Sequence, residues 1–317
     1  MSRAAAGVPP LIVLAGATAT GKTELAIRVA EAIERDGRPV AVISAESRQV
    51  YRGLDIGTAK ATAADRGRAR HFGLDLVEPD EPFSVANFVA HAAGVLDDLA
   101  ATGGVAILAG GTGLYLRAVG RGVDTAALPS DPEIRARLEA ELVASGLIPM
   151  VGRLRALAPT LAGRVELRNP RRVVRALEMA EIGGDALPPA PRGYPGPIAW
   201  LGLVVDAAAH ATRIAARARA QFAAGLIEEA RALRERFDPG LPAFSAIGYR
   251  EAWAVLDGEL NLDQAVALDV RRNVAFAKRQ RTWFRSEPGV TWLDATDELP
   301  TAAATELARA AIDERPG

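Results

Sequence analysis

Short apolar runs alternate with stretches of helical spacing through the first third of the chain. Leu11–Ala15, Val40–Ser44 and Val105–Ala109 are nearly unbroken apolar segments, the pattern of strands buried on both faces of a parallel sheet. Leu74–Val77 is a further strand candidate. Between them, Lys22–Asp36 carries Leu25, Val29 and Ile33 at a spacing of four, which gives a helix one buried face. Ser84 stands where an N-cap belongs, ahead of a helix expected over Val85–Ala101 and ended by Gly103-Gly104. Strand–helix alternation of this kind predicts a parallel sheet with helices on both faces. Ligands of such sheets sit beyond the carboxyl ends of the strands. Three loops fall there: Gly16–Thr23, Ser44–Gln49 and Gly110–Thr112.

The pattern changes after Gly122. Residues 131–182 keep helical spacing but contain no convincing strand. Asp131-Pro132 and Asn169-Pro170 each pair an N-cap with proline at the first helical position. Pro188, Pro189, Pro191, Pro195 and Pro197 then make a loop that is neither helix nor central strand. Trp200–Val205 returns as a strand, and residues 207–285 read as helical with breaks near Asp238–Pro242 and Gly258. A core of residues 1–122 and 199–317 with a helical insertion at 123–198 is expected.

Composition narrows the function. The chain has 317 residues and a net charge of −1, so affinity for nucleic acid has to come from a local basic patch. It has no cysteine, which excludes disulfides and thiolate metal sites. His71, His91 and His210 are scattered and read as surface or packing residues. No uncharged apolar stretch reaches the roughly 20 residues that span a bilayer. Met1–Pro10 is not followed by the apolar block of a signal peptide, so no membrane partner and a cytoplasmic location are expected.

Gly16–Thr23 reads G-A-T-A-T-G-K-T between an expected strand and an expected helix. This is the G-x-x-x-x-G-K-[ST] P-loop in its proper setting. Backbone N–H groups and a helix N-terminus form an anion cradle, Lys22 adds a point charge, and the Thr23 hydroxyl suits Mg²⁺. The motif marks a polyphosphate site, ATP included, without specifying hydrolysis. The fold class is α/β: a P-loop NTPase-like parallel sheet flanked by helices, with a small all-helical insertion domain. Glu46 is a carboxylate at a strand end facing the cradle, fit to act as a general base or to bind a metal through water. A solvated loop carboxylate is the alternative. Arg271–Arg285 holds six basic residues and no acidic one. Lys278, Thr282 and Arg285 share one helical face there, and Phe276 and Trp283 mark another. Such a helix serves RNA phosphates and bases, or is simply a solvated basic face with its aromatics in the core. Arg213 and Arg217, four apart, form a smaller cluster with Arg219.

Six ordered segments together resemble one family. They are G-A-T-A-T-G-K-T, the stretch Ser47–Lys60, G-G-T-G-L-Y at Gly110–Tyr115, N-P-R-R-V-V-R-A-L-E at Asn169–Glu178, A-I-G-Y-R-E at Ala246–Glu251 and A-K-R-Q-x-T-W-F-R at Ala277–Arg285. They look like the tRNA dimethylallyltransferases. The resemblance implies transfer of a dimethylallyl group from dimethylallyl diphosphate to N6 of the adenosine just 3′ of the anticodon in a tRNA stem-loop, with Mg²⁺ as cofactor and a monomeric enzyme. It places the diphosphate on Gly16, Ala17, Thr18, Ala19, Thr20, Gly21, Lys22 and Thr23, with Thr23 also on the metal. It makes Glu46 the proton acceptor, puts Thr18 and Lys22 near the reacting centre and Arg217 on pyrophosphate. Glu46, Ser47, Arg48 and Gln49 then match the segment that contacts the target nucleotide. Thr112, Arg135, Arg171, Arg172, Val173, Val174 and Arg175 match other tRNA-contacting positions. So do Ser245, Ala246, Ile247, Gly248, Tyr249 and Arg250. The last such group is Lys278, Arg279, Gln280, Arg281, Thr282, Trp283, Phe284 and Arg285. The chain departs from the family at Glu46, where aspartate is usual. It departs also at Arg168, at Asn273-Val274 and at Ala61. One extra methylene at Glu46 is expected to reduce activity unless the loop shifts, since misplacement by ~1 Å can cost about 100-fold. Prenylation of free adenine nucleotides, a small-molecule kinase and a non-catalytic RNA-binding module are the competing readings.

Overall fold

The computed structural model describes residues 7–125 and 127–313. Its sheet has six strands: β1 (Leu11–Gly16), β2 (Val40–Ser44), β3 (His71–Phe72), β4 (Val105–Gly110), β5 (Ile198–Val204) and β6 (Thr291–Asp294). They lie in the order β3-β2-β4-β1-β5-β6, and every pairing is parallel. The apolar runs of β1, β2 and β4 are buried at every position because helices cover both faces. Leu11, Val13 and Ala15 face one core and Ile12 and Leu14 the other, as the two-residue period requires.

The strand expected at Leu74–Val77 lies instead at His71–Phe72. Gly73 and Asp75 take positive φ angles of 78° and 56°, which turn the chain out of the sheet and leave Val77 only an isolated bridge to Tyr51. The strand β6 and the helix after it carried no expectation.

The helices in chain order begin with α1 (Lys22–Arg35), α2 (Ala63–Arg68), α3 (Val85–Thr102) and α4 (Gly113–Gly120). The helical segment holds α5 (Pro132–Ser145), α6 (Leu147–Leu157), α7 (Pro159–Ala162) and α8 (Pro170–Gly183). Then follow α9 (Ala207–Ala223), α10 (Leu226–Arg236), α11 (Tyr249–Leu256), α12 (Leu262–Arg285) and α13 (Thr301–Asp313). Ser84 caps α3 in a reciprocal box with Asn87, and Asp131 and Asn169 cap α5 and α8 with proline at the first turn. Among the described residues no helix is long and apolar enough to cross a membrane.

The chain forms two compact units, one of residues 1–122 and 193–317 and one of Val123–Arg192. The helical unit closes at Arg192 rather than at 198 because the following loop is bonded to the sheet unit. Gly193 N–H donates to Arg121 O, Tyr194 Oη to Pro9 O and Leu11 N–H to Pro197 O. The helical unit has its own core of Leu138, Met150, Leu154, Leu161, Val173 and Leu177. Val173 and Val174, expected to touch tRNA, are buried in that core. Their helix turns its apolar stripe inward and its arginines outward.

In the sheet unit, α11 and α12 bury two acids side by side. Glu251 is satisfied by Arg272 at 2.6 Å and by Gly248 N–H at 3.0 Å. Asp269 is bonded by Asn273 Nδ2 at 2.7 Å and has no ion pair of that length among the described residues. Burial pushes the Asp269 carboxyl up to about 6, against the pull of the Asn273 bond and of Arg217 and Arg272. The folded protein therefore holds a proton that the unfolded chain releases near 3.8, and stability contributed by the protonated acid is lost as pH rises toward 6. Asp269→Asn should gain on the wild type between those values, by on the order of 3 kcal/mol at neutral pH. Urea midpoints of the two proteins at acid and neutral pH check this; a constant difference between them contradicts it.

Candidate active site

Three strand ends meet because the sheet is parallel. The turn after β1 winds back on itself: Thr20 Oγ1 donates to Ala17 O at 2.9 Å, and Ala19 and Gly21 adopt φ angles of 59° and 91°. A Cβ on Gly21 would also lie 2.7 Å from Leu299 Cδ2, a side-chain end that can move, so it is the positive φ that calls for glycine there. Thr18, Ala19, Gly21, Lys22 and Thr23 line a cleft of about 1330 Å³. Gly16, Ala17 and Thr20 are buried behind it and shape the turn. A volume above the roughly 300–1,000 Å³ of a single-ligand pocket leaves room for two reactants.

Lys22 is 8% exposed. Its Nζ donates to Ala17 O at 2.8 Å and stands 3.7 Å from Glu46 Oε1. Burial holds the Lys22 ammonium below the usual lysine range; Glu46 works against that and Arg217 adds to it. Glu46 follows β2, and its Oε1 accepts the Gly111 N–H at 2.8 Å. Gly111 follows β4, which lies between β1 and β2. Thr112 Oγ1 accepts Ser47 N–H at 2.9 Å and Thr112 N–H donates to Ala45 O at 3.1 Å, so the loops after β2 and β4 are laced together by three bonds.

The opposite wall is the segment 54–62, pinned from several helices. Glu229 of α10 accepts Ile56 N–H at 2.8 Å and Tyr249 Oη at 2.7 Å, and Gln221 of α9 donates to Ile56 O at 2.6 Å. Lys60 Nζ is buried against Tyr51 O, Asp55 and Asp75. Gln49 is committed to this scaffold, accepting from Ser44 Oγ at 2.7 Å and donating to Thr58 O at 3.0 Å. Arg213 and Arg217 of α9 both reach the cleft. Burial lowers the Arg217 guanidinium below its ordinary value, while Glu46 and Asp269 pull it up.

The expected site residues therefore separate. Thr18, Lys22, Thr23, Glu46, Ser47, Arg48, Gln49, Thr112, Arg217, Ser245, Ala246, Ile247, Arg279 and Gln280 share one cleft. Gly248, Tyr249 and Phe284 are buried and support it: a Cβ on Gly57 would lie 2.6 Å from the Tyr249 ring. Trp283 is half-buried, packed on Gly113 with Arg117 over its ring. Lys278, Thr282 and Arg285 are exposed on the outer face of α12, as their spacing implies. In the helical unit Arg135 and Arg175 both pair with the buried Glu178, and Arg172 pairs with Glu166. Arg171 is exposed there. Asn273 and Phe276 line the cleft two turns and one turn before Gln280; the sequence marks Asn273 only as a departure from the family and Phe276 only as an aromatic on the basic helix. Their offsets of seven and four residues from Gln280 put all three on one helical face, which was the available signal. Phe276 is 37% exposed rather than in the core.

Among the described residues no group of three or more His, Cys, Asp or Glu side chains could hold a metal ion. The exposed Thr23 hydroxyl beside Lys22 and Glu46 fits a hard cation that takes most of its oxygens from a bound diphosphate and water.

The IPP transferase family model matches residues 49–287. The chain is 45% identical over 289 residues to a tRNA dimethylallyltransferase of Anaeromyxobacter dehalogenans, covering 89% of this chain and 94% of that protein. It is 44% identical over 285 residues to a tRNA dimethylallyltransferase of Thermus thermophilus, with 87% and 90% covered. The solved tRNA isopentenylpyrophosphate transferase of Bacillus halodurans matches at a TM-score of 0.69 and 34% identity, over 96% of this chain and 97% of that one. A eukaryotic dimethylallyltransferase acting on tRNA shares the fold at a TM-score of 0.78 and 22% identity, over 97% of this chain and 80% of that one. With a P-loop, a facing carboxylate and a basic helix gathered on one parallel sheet, and with likeness over nearly its whole length, the chain belongs to the IPP transferase family.

Proposed function

We propose that this protein transfers a dimethylallyl group from dimethylallyl diphosphate to N6 of the adenosine immediately 3′ of a tRNA anticodon and releases pyrophosphate. One observation carries the reading: a cation cluster suited to a departing diphosphate and a carboxylate suited to an amine proton face each other in the same cleft, Lys22 and Glu46 3.7 Å apart. Lys22, Arg213, Arg217 and the N–H groups of the turn bind the diphosphate and favour the charge that builds on it as the allylic C–O bond breaks. The carbon forms its new bond to N6, and the amine proton passes to Glu46. Gly111 N–H holds one Glu46 oxygen and leaves the other for the proton. Thr23 would hold Mg²⁺, which supplies further positive charge against the leaving group when bound. The base is reached only when unstacked from its RNA, and the exposed Lys278, Arg279 and Arg285 of α12 neutralise RNA phosphates.

Incubation with dimethylallyl diphosphate, Mg²⁺ and unmodified tRNA should yield N6-prenylated adenosine by mass spectrometry. Glu46→Gln should lower kcat by about 100-fold or more. A fully active Gln variant denies Glu46 the proton. Arg285→Ala should reduce the slope of log affinity for tRNA against log salt by about one; an unchanged slope removes Arg285 from the interface. Lys22 must be charged to hold a diphosphate, and its pKa in the free protein lies below 10.5. Pyrophosphate affinity should therefore fall, relative to Lys22→Arg, as pH rises through values below the ordinary lysine range. Parallel pH profiles of the two proteins by calorimetry would refute this.

A further inference from the structure

Thr18 lies in the middle of the glycine-rich turn, and both of its backbone polar groups are taken by side chains from helices far along the chain. Its N–H donates to Gln280 Oε1 of α12 at 2.9 Å. Its carbonyl contacts His210 Nε2 of α9 at 2.7 Å. A carbonyl only accepts, so Nε2 carries the proton. Gln280 and His210 are 6% and 2% exposed, so neither is a surface contact. The other end of the Gln280 amide donates to Gly111 O at 3.0 Å. That approach needs glycine, since a Cβ on Gly111 would lie 2.2 Å from Gln280 Nε2. Gly111 N–H in turn holds Glu46, and Glu46 stands 3.7 Å from Lys22, which is bonded back to Ala17 O. The bonds close a ring through the cradle, Gln280, Gly111, Glu46 and Lys22.

We propose that His210 and Gln280 are positioning residues: they set the Thr18 segment of the cradle for a diphosphate, and Gln280 ties that segment to the Gly111 amide that fixes the proton acceptor. The proposal rests on the functional reading above. In a trans peptide the carbonyl and the following N–H point opposite ways. His210, by holding Thr18 O, turns the Ala19 N–H away from itself, and Ala19 lines the cleft in the left-handed conformation. Without that bond the peptide between Thr18 and Ala19 is free to turn its carbonyl oxygen toward incoming phosphate. Burial lowers the His210 pKa, opposed by the Thr18 bond and reinforced by Arg281, Lys22 and Arg213, which favours the neutral ring. Gln280 sits on the inner face of the helix whose outer face carries Lys278 and Arg285. One rigid helix thus presents cations to RNA and an amide to the donor site. The resemblance placed Gln280 on tRNA; the structure gives it to the cradle.

The test compares His210→Leu, His210→Gln and Gln280→Met with wild type. Pyrophosphate affinity by calorimetry should weaken about five- to tenfold in His210→Leu, the size of one lost hydrogen bond, and return in His210→Gln, which restores a donor. Gln280→Met keeps the volume and loses both bonds. Its kcat should fall by about tenfold or more with tRNA affinity unchanged. Combined with Glu46→Gln, its effect should be smaller than in the wild-type background, because part of it acts through Glu46. Pyrophosphate affinity unaltered in His210→Leu, or unrestored in His210→Gln, overturns the His210 assignment. A Gln280→Met protein with full kcat, or with lost tRNA affinity instead of lost kcat, overturns that of Gln280. Should Gln280→Met fail to fold, the two His210 variants decide. If wild type itself prenylates no tRNA, the functional reading fails, while the pyrophosphate affinities still decide the clamp.

Discussion

A buried ammonium and a half-buried carboxylate, 3.7 Å apart, hold the centre of this molecule together. Taking both out of water is costly, and their mutual attraction offsets only part of that cost. Burial still outweighs Glu46 in lowering the Lys22 pKa. The remainder of the offset comes from fixed partners: Ala17 O for the lysine and Gly111 N–H for the glutamate. A cleft arranged this way is poised for an anion, because diphosphate oxygens satisfy Lys22 better than a single carbonyl does. In the function proposed above, the same charge pair separates the two tasks of the reaction, the cationic side taking the leaving group and the anionic side the proton.

Everything else in the sheet unit fixes where those charges stand. Parallel pairing of β2, β4 and β1 in that order brings Glu46, Gly111 and Lys22 to the same edge. The helices α9 to α12 then close the far side. They do so through buried polar bonds rather than through exposed ion pairs, which are weak. Glu229, Gln221 and Lys60 hold the wall segment, and Tyr249 fills the space that Gly57 leaves. Residues that resemblance assigns to RNA therefore divide by direction. Arg279 and Arg285 are exposed, whereas Gln280 and Phe284, on the same helix, are buried.

The strands β1, β2 and β4 and the caps at Ser84, Asp131 and Asn169 were legible because each depends on neighbours within a few residues. So was the cradle, whose strand, glycines, lysine and threonine are contiguous. The short strand β3 lies a few residues before the expected segment, since the chain turns at Gly73, whose positive φ goes with close approach to Ser44 O, a contact the local sequence does not signal. Val173 and Val174 were assigned to RNA from a motif, although their apolar character and helical phase pointed to a core. For Phe276 the spacing left two placements open, a base-facing surface or the core, and it is exposed at the cleft.

The sequence alone determined the parallel-sheet architecture, the glycine-rich turn after β1, the helical insertion and the family, because local propensity, contiguous motifs and their order suffice for those. Tertiary structure alone decided which oxygen of Glu46 is restrained, that Arg213 and Arg217 reach the cleft, and that His210 and Gln280 grip Thr18. Those contacts join residues separated by 65 to 262 positions. Nothing in the local order of residues sets such distances. They follow from strand order and from the faces that α9 and α12 turn toward the sheet.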